Sequence, residues 1–315
     1  MNTLEQPSLP VHIGIDVAKA TLQIDLLGKS RKLPNTTAGH QTLLGLLPEH
    51  AFIIMESTGS YHIAPLECFQ AAGIPVAIIN PVRVKQFGKA CGTLAKTDPV
   101  DAALLSAFGR ALQPHPTPPR DPERVMLGEL VNLRETLSAQ ITVWNNLVEH
   151  QQSAGARKLS GAQARATAKA MADVEVRIAK LIKESQTLAP VADVLRGNKG
   201  VGAVTVAVLL AEMPELGRLN RREAAALAGV APCADDSGKH EGKRYIRGGR
   251  PRIKRALYLA SLSAVRHHAT LSPAYKALRA SGKPAKVAII AIARKLVVIL
   301  NAKLKEHYAT HAQPA

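Results

Sequence analysis

Four acidic residues in the first third of the sequence stand in settings that suggest metal chemistry. Asp16 lies inside the apolar run GIDVA and Glu56 lies near the end of the apolar run FIIMES, so both carboxylates need a cation or hydrogen bonds. Asp98 and Asp101 follow in KTDPVDA, at a spacing that places both in the first turn of one helix. Four hard oxygen donors suit one or two Mg²⁺ ions, which support phosphodiester chemistry.

The helix that carries two of these acids is predicted to begin with Asp98 as its N-cap and Pro99 as its first residue. Helix capping alone would explain Asp98 and Asp101, because acids stabilise the positive end of the helix dipole. The strand acids favour a shared metal site instead. The sequence contains no H-E-x-x-H motif among its 11 histidines, which disfavours a zinc hydrolase.

Positive charge is concentrated in the last quarter of the chain. The formal net charge is +17, and residues 231–310 contain 17 Lys and Arg but only four acids. Aromatic residues make up only 3%, so binding to a polyanion would rest on phosphate contacts rather than on base stacking. A solvated basic loop is the alternative. The predicted phosphate ligands lie in or just after GKHEGKRYIRGGRPR, which is not expected to form a regular helix: Lys239, Lys243, Arg244, Arg247, Arg250, Arg252, Lys254 and Arg255.

The first 110 residues or so show an α/β pattern. VHIGIDVA and TLQIDLL are predicted to pair as a hairpin, and AFIIMES and PVAIIN have the continuous apolar character of buried strands. HIAPLECFQAAG, between the last two, has helical spacing and ends at Gly73. The five prolines of QPHPTPPRDP then indicate a linker.

Long helices are predicted from Glu123 to about Pro190. Apolar residues recur there every three or four positions, which predicts a helical hairpin or a coiled coil. Such a helix pair packs either internally or against a second copy of the chain, as a dimer or tetramer. The stripe comprises Met126, Leu130, Leu133, Leu137, Ile141, Trp144, Val148, Met171, Val174, Ile178, Leu181 and Leu188.

The rest of the chain is predicted to be mainly helical, giving domains at 1–120, 121–190 and 191–315. In NKGVGAVTVAVLLAEM, Gly200 and Gly202 form a tight turn that either offers N–H groups to a phosphate or simply joins two helices. The three cysteines form no C-x-x-C pair, and MNTLEQPSLP lacks the character of a signal peptide. The longest apolar stretch, 287–300, contains Arg294 and Lys295. We therefore expect a cytoplasmic protein without membrane spans.

Several motifs in order resemble one known family. They are GIDVAK from Gly14, MESTGSY from Met55, NP at Asn80 and Pro81, KTDPVDA from Lys96, GVAP, and DSGKHEGKRYIRGGRPRIKRALY from Asp236. Together they resemble the DEDD transposases of insertion sequences, the family of the Piv and MooV invertases and the bridge-RNA-guided serine recombinases. Each motif alone is modest, but their joint order from about residue 11 to 305 is specific.

The resemblance implies a RuvC-like, RNase H-type N-terminal domain whose metal-binding acids are Asp16, Glu56, Asp98 and Asp101. It also implies a coiled coil that builds the oligomer, and a C-terminal transposase domain with a catalytic serine at Ser237. In such enzymes the serine forms a covalent phosphoserine with DNA, at a site shared between protomers. The implied partners are Mg²⁺, donor and target DNA, and a structured noncoding bridge RNA.

The assignment of Ser237 as the catalytic serine depends on the family resemblance, because a Ser-Gly pair by itself most simply indicates a turn. Pro99, between the third and fourth acids, is compatible with a helix start, and IRGGRPR suggests the subgroup with a Gly-Gly-Arg motif. Two alternatives to the recombinase remain open. One is a metal-dependent Holliday-junction nuclease that uses the four acids only, and the other is a non-catalytic nucleic-acid-binding scaffold.

Overall fold

A computed structural model describes residues 10–92, 97–233, 242 and 244–311. The chain divides into two compact units, residues 1–120 and residues 121–315. The described part is mixed α/β in the first unit and mainly helical in the second. The three-domain division made from the sequence remains a prediction. In the structure, the helices of 121–190 share a hydrophobic core with later helices of the second unit.

The first unit contains a five-stranded mixed sheet with the order β3-β2-β1-β4-β5. β1 pairs antiparallel with β2 and parallel with β4, while β5 runs parallel to β4. This arrangement of a strand meander followed by parallel strands fits the RNase H-type fold implied by the family resemblance. The strands are β1 (Val11–Val17), β2 (Thr21–Leu26), β3 (Lys29–Pro34), β4 (Ala51–Glu56) and β5 (Val76–Ile79).

Helices cover both faces of this sheet. On one face Ile15 and Met55 pack with Leu43 of α1 and Phe69 of α2. On the other face Ile54 and Ile79 pack with Val84 of α3 and with Leu105 and Phe108 of α4. The sheet is therefore buried on both sides, as its continuous apolar strands require. The helices are α1 (Thr37–Leu44), α2 (Ile63–Ala71), α3 (Pro81–Ala90) and α4 (Asp98–Leu112).

The predicted hairpin and the two predicted buried strands are confirmed, and so is the helix that precedes Gly73. β3 was not predicted, because Lys29, Arg31 and Lys32 are exposed and give no apolar run. Such charged residues are typical of an edge strand. α1 and α3 were also missed, since each is short and buries few residues.

The proline-rich segment 113–121 contains no helix or strand and hydrogen-bonds to the sheet. Thr117 donates its backbone N–H to the Val76 carbonyl at 2.7 Å, and its hydroxyl accepts from the Ile78 N–H at 2.9 Å. Gln70 of α2 donates to the Thr117 carbonyl at 2.7 Å. The predicted linker is thus held against β5.

The second unit consists of eight described helices and a two-stranded sheet. Its core draws on residues from all of its long helices, among them Leu127, Ile182, Leu209, Leu257 and Leu296. The elements are α5 (Pro122–His150), α6 (Ala154–Glu184), α7 (Leu188–Arg196), α8 (Ala203–Glu212), α9 (Arg221–Leu227), β6 (Pro232–Cys233), β7 (Tyr245–Ile246), α10 (Pro251–His267), α11 (Leu271–Ala280) and α12 (Ala285–His311).

α5 and α6 form an antiparallel helical hairpin. Glu123 contacts Ser185, Arg134 contacts Glu175 at 2.7 Å, and Gln151 contacts Ser160 at 2.9 Å, so positions pair in opposite directions along the two helices. The predicted apolar stripe is shifted by one residue at its start. Leu127 and Val131 are buried, whereas Met126 is 55% exposed and Leu133 is 46% exposed.

None of the described helices combines the length and the apolar character needed to span a bilayer. The three cysteines are free thiols: Cys68 is half-buried, and Cys91 and Cys233 are exposed.

Candidate active site and nucleic-acid interface

Asp16 and Glu56 lie at the carboxyl ends of two adjacent parallel strands. The register between β1 and β4 matches Ile15 with Met55, so the next step along both strands brings Asp16 level with Glu56. Residues in register on parallel strands point to the same face, and neighbouring strands are about 4.8 Å apart. Both acids are half-buried, and each interacts with another group. The strands thus place two of the four acids side by side.

α4 runs back along β1, and this direction places the other two acids. A Cβ on Gly14 would lie 2.0 Å from the Ala102 carbonyl oxygen, and a Cβ on Gly109 would lie 2.7 Å from the His12 ring. Ala102 of α4 therefore lies beside Gly14 in the middle of β1, and Gly109 lies beside His12 near the start of β1. The helix thus runs antiparallel to the strand. The first turn of α4, with Asp98 and Asp101, lies towards the opposite end of β1, which is the end that carries Asp16.

The start of α4 differs by one residue from the prediction. Thr97 is the N-cap, with φ −145° and ψ 150°, and its carbonyl accepts from the Asp101 N–H at 2.9 Å. Asp98 is consequently the first helical residue rather than the cap, and Pro99 is the second. Proline is tolerated there because the first N–H groups of a helix have no partner within it. The placement of both acids in the first turn is confirmed.

The four acids have the chemistry for Mg²⁺, but their side chains are not gathered into a cage. Among the described residues, no three His, Cys, Asp or Glu side chains are placed to hold a metal ion. Mg²⁺ is usually held by one or two carboxylates together with water and substrate phosphates, so a preformed cage is not required. His307 and His311 form an H-x-x-x-H pair on α12, with ring centroids 4.3 Å apart, and no third ligand joins them within the described chain.

The segment predicted to carry the serine nucleophile is described only at its two ends. Ser237, Lys239 and Lys243 lie outside the described residues. On either side of them, Cys233 of β6 pairs with Tyr245 of β7. Outside this strand pair along the chain, the backbones of Gly229 and Gly249 are in close contact. A Cβ on Gly249 would lie only 2.2 Å from the Gly229 nitrogen. Both have positive φ, +70° and +71°. The two ends of the segment are therefore fixed next to each other.

The described basic residues fall into two groups. Arg244 and Arg247 are exposed at the end of the serine-bearing segment, and each interacts with another group. Arg250 instead forms an ion pair with Glu215, and Arg255 pairs with Glu135. Since α10 begins at Pro251, the expectation of no regular helix is wrong for the last two residues of the motif. Arg252, Lys254 and Arg255 are helical.

Arg252 is the centre of a network that joins three helices. It donates to Glu212 of α8 at 2.8 Å and to Asn132 of α5 at 2.6 Å, and it pairs with Glu135 at 2.7 Å. The hydrogen bond with Glu212 is the main reason that the pKa of Arg252 is raised, against a smaller lowering by burial. These contacts engage three of the five N–H donors of Arg252, so its predicted phosphate contact competes with an internal network.

The turn between α7 and α8 is packed on α10. Gly200 has φ +99°, and a Cβ there would lie 2.8 Å from the Ala264 nitrogen. Gly202 is the N-cap of α8 and has no side chain to bond the first N–H groups of that helix. A phosphate at this turn remains a prediction.

Comparison with protein families places both parts of the chain in the same group. A family model described as transposase, of the DEDD type of insertion sequence IS110, matches residues 13–152. A second, described as transposase of the IS116/IS110/IS902 family, matches residues 192–276. The chain belongs to this transposase family. It is therefore an enzyme of the DNA recombinase and transposase class, and its four acids lie within the residues that the DEDD model matches.

Two similar proteins align with this transposase over almost its whole length, and a third aligns with part of it. The pilin gene-inverting proteins of Moraxella bovis and Moraxella lacunata are each 24% identical to it in an alignment 310 residues long, and this alignment covers 94% of this chain and 96% of theirs. A 43.6 kDa protein of insertion element IS110 from Streptomyces coelicolor is 31% identical over 119 residues, 37% of this chain and 29% of that protein.

The residues that dock the transposase's α4 against β1 were not among the predicted site residues. The Ser106 hydroxyl accepts from the Gly14 N–H at 2.7 Å, and both residues are buried. A glycine between Ile13 and Ile15 in an apolar strand is a recognisable sign of close backbone approach. Glu135, Glu212 and Glu215, the partners of the arginines, carry no comparable sign.

Proposed function

We propose that this transposase cuts and rejoins DNA through a serine–DNA intermediate, using Asp16, Glu56, Asp98 and Asp101 as its acidic site and a structured RNA as its guide. Family membership supports DNA as the substrate. The observation that carries the acidic site is the direction of α4, which sends the turn with Asp98 and Asp101 towards the end of β1 where Asp16 lies beside Glu56.

The four carboxylates would hold Mg²⁺, which when bound neutralises charge on the scissile phosphate and on the leaving oxygen. Two of these acids sit on adjacent buried strands, which fixes their backbones against movement. The other two sit on the first turn of α4. This helix approaches β1 closely at Gly14 of the strand and at Gly109 of the helix, so it has little room to slide along β1. The protein thus supplies a rigid frame on which the carboxylates would hold Mg²⁺ against the scissile phosphate.

In the proposed reaction the Ser237 hydroxyl oxygen attacks the scissile phosphorus. A phosphoserine bond forms, one phosphodiester P–O bond breaks, and the serine proton passes to a nearby base and then to the leaving sugar oxygen. A free DNA hydroxyl later reverses this exchange on another strand. The phosphodiester energy is conserved, so no separate energy source is needed for rejoining.

The basic segment supports binding of the nucleic-acid backbone. Exposed Arg244 and Arg247 are at its described end, and Lys239, Lys243 and Lys254 add charge to the same stretch of sequence. Phosphate contacts of this kind carry affinity but no sequence information. Guidance by a bridge RNA, which would supply the sequence information, is proposed from the family resemblance.

The test is to trap reactions on labelled DNA, denature the protein and look for a protein-linked band. Wild-type protein should form the band, Ser237→Ala should lose it, and Asp16→Ala should lose it while still binding DNA. A Ser263→Ala variant, which alters a serine on α10 instead, serves as the control.

Two outcomes would overturn the proposal. Cleavage by the acids without any covalent band would favour the metal-dependent nuclease, and a band retained by Ser237→Ala would exclude that serine. Mixing Ser237→Ala and Asp16→Ala subunits extends the experiment, because restored activity requires that the serine and the acids act from different protomers.

A further inference from the structure

Asn35 joins the two turns that follow the strand acids. Its side-chain amide nitrogen donates to the Ala18 carbonyl at 2.9 Å and to the Tyr61 carbonyl at 3.2 Å. Ala18 lies two residues after Asp16, and Tyr61 lies five residues after Glu56. One side chain therefore connects the turn that leaves β1 with the loop that leaves β4.

The orientation of the Asn35 amide follows from its partners. Both carbonyl oxygens only accept hydrogen bonds, so the NH₂ group must face them and the amide oxygen must face the other way. There, His40 Nε2 lies 2.8 Å from Asn35 Oδ1. Because Oδ1 only accepts, the histidine Nε2 must carry the proton. The amide nitrogen and the amide oxygen of Asn35 are thus both hydrogen-bonded to neighbouring groups.

His40 is held in turn by the start of α1. It is 3% exposed and meets the edge of the Phe69 ring, with centroids 6.1 Å apart. Gly39 lets α1 approach the end of β3, since a Cβ there would lie 2.0 Å from the Pro34 carbonyl oxygen. Thr36 caps the helix by accepting from the Gly39 N–H at 3.3 Å. The stretch from Pro34 to His40 thus places Asn35 at a defined point.

We propose that Asn35 is a positioning residue for the acidic site: by tying the turn after Asp16 to the loop after Glu56, it fixes the spacing of these two carboxylates. This inference rests on the proposed function, since it matters only if the two acids act together. His40 supports the role by holding the Asn35 amide in the orientation that reaches both carbonyls.

Loss of Asn35 should weaken the site without removing any of its acids. Groups that hydrogen-bond directly to metal ligands typically change metal affinity or activity by about 10- to 100-fold, and Asn35 acts one step further out, through the turns that follow the two acids. We therefore expect Asn35→Ala to raise the Mg²⁺ concentration for half-maximal adduct formation by about 10-fold, at the low end of that range. Excess Mg²⁺ should restore much of the rate, which a merely structural defect would not allow.

Asn35→Asp separates hydrogen bonding from side-chain size. Aspartate keeps the shape and an acceptor for His40, but it places a carboxylate oxygen against two carbonyl oxygens. It should be at least as defective as Asn35→Ala. Gln41→Ala is the control, because Gln41 lies on α1, which begins just after Asn35, and hydrogen-bonds to Cys68 of α2 at 3.7 Å, away from both loops.

The experiment titrates Mg²⁺ against adduct formation for the full-length protein, with DNA binding and urea unfolding measured on the same samples. The expected result is a shifted Mg²⁺ dependence for Asn35→Ala and Asn35→Asp, with DNA binding and folding retained. A Mg²⁺ dependence like that of Gln41→Ala would overturn the inference. Asp16→Asn is measured alongside: if it keeps full activity, the proposed acidic site fails, whereas a defective Asp16→Asn with normal Asn35 variants rejects the positioning role alone.

Discussion

Arg250 and Glu215 face each other through two parallel hydrogen bonds, Nη1 to Oε2 at 2.8 Å and Nη2 to Oε1 at 2.7 Å. Arg250 also donates to the Glu212 carbonyl at 2.5 Å. This arginine is the N-cap residue of α10, at the end of the serine-bearing segment. The pair therefore anchors that segment to the helical core, and it occupies a side chain for which the sequence predicted a phosphate contact.

We expect Glu215→Gln to lower the free energy of unfolding by about 1–2 kcal/mol. This is the low end for hydrogen bonds between charged groups, because both side chains are about a third exposed to water. Urea unfolding at pH 7 measures the change. Glu129→Gln, at an exposed position on α5, is the control and should have little effect.

The same pair should make stability depend on pH. Burial acts to raise the pKa of Glu215, but hydrogen bonds from Arg250 and from its own backbone, and the charges of Arg250 and Arg124, outweigh burial and lower the pKa. A lowered pKa in the folded state stabilises the protein above the ordinary carboxyl pKa, and this contribution is lost as the pH falls through the folded value. The stability difference between wild type and Glu215→Gln should thus shrink below about pH 4.5. A constant difference would contradict the assignment.

The salt dependence of DNA binding should distinguish the two groups of arginines. Removing one side chain that binds a phosphate lowers the slope of log K against log salt by roughly one. We expect this decrease from Arg244→Ala and from Arg247→Ala. The Glu215→Gln/Arg250→Gln double variant, which leaves no unpaired charge, should keep the wild-type slope. A slope reduced by one in the double variant would show that Arg250 contacts phosphate after all.

Ser106→Ala should be destabilising and should also impair activity. It leaves the buried Gly14 N–H without its side-chain acceptor, and such a loss costs about 1–3 kcal/mol. Ser261→Ala is a matched control, because Ser261 is equally buried but its hydroxyl only donates within its own helix, to Leu257. Thermal unfolding and adduct formation are compared for both. Equal effects of the two substitutions would argue against a special role for the α4 contact.

Self-association through the α5–α6 hairpin can be tested at its exposed apolar residues. Val143 is 56% exposed and Leu147 is 39% exposed, one turn apart on α5. We expect the full chain to form dimers or tetramers, and Val143→Glu/Leu147→Glu to lower its mass in light scattering. Asn145→Glu/Asn146→Glu adds two negative charges at nearby exposed positions and should leave the mass unchanged. Equal masses for wild type and Val143→Glu/Leu147→Glu would exclude this surface.

The strand positions of Asp16 and Glu56 could be predicted from the sequence because the apolar runs around them are typical of buried strands, while their role as a site stays a prediction. β3 could not, because its side chains face solvent at the edge of the sheet and lack an apolar pattern. The start of the α5 stripe was misjudged for a different reason: Met126 and Leu127 are both apolar, and only packing decides which is buried. Burial selects Leu127.

The arginine pairs were beyond the reach of sequence reasoning. Arg250 and Glu215 are separated by 35 residues, and Arg252 and Glu212 by 40 residues. A basic run has the same appearance whether its charges meet phosphates or distant acids. The Asn35 contacts were likewise hidden, because they depend on where two loops and α1 converge.

The hydrogen bonds of Thr117, through its backbone N–H to Val76 and through its hydroxyl from the Ile78 N–H, have a further consequence for the first unit. A sheet edge with free N–H and C=O groups is a template for adding a foreign strand, and it promotes aggregation. The segment with Thr117 occupies part of that template along β5, and prolines on either side of it cannot donate to an incoming strand. At the opposite edge, the lysines and arginine of β3 discourage the same event by charge. Both edges of the sheet are thereby shielded from pairing with a strand of a second copy of the chain.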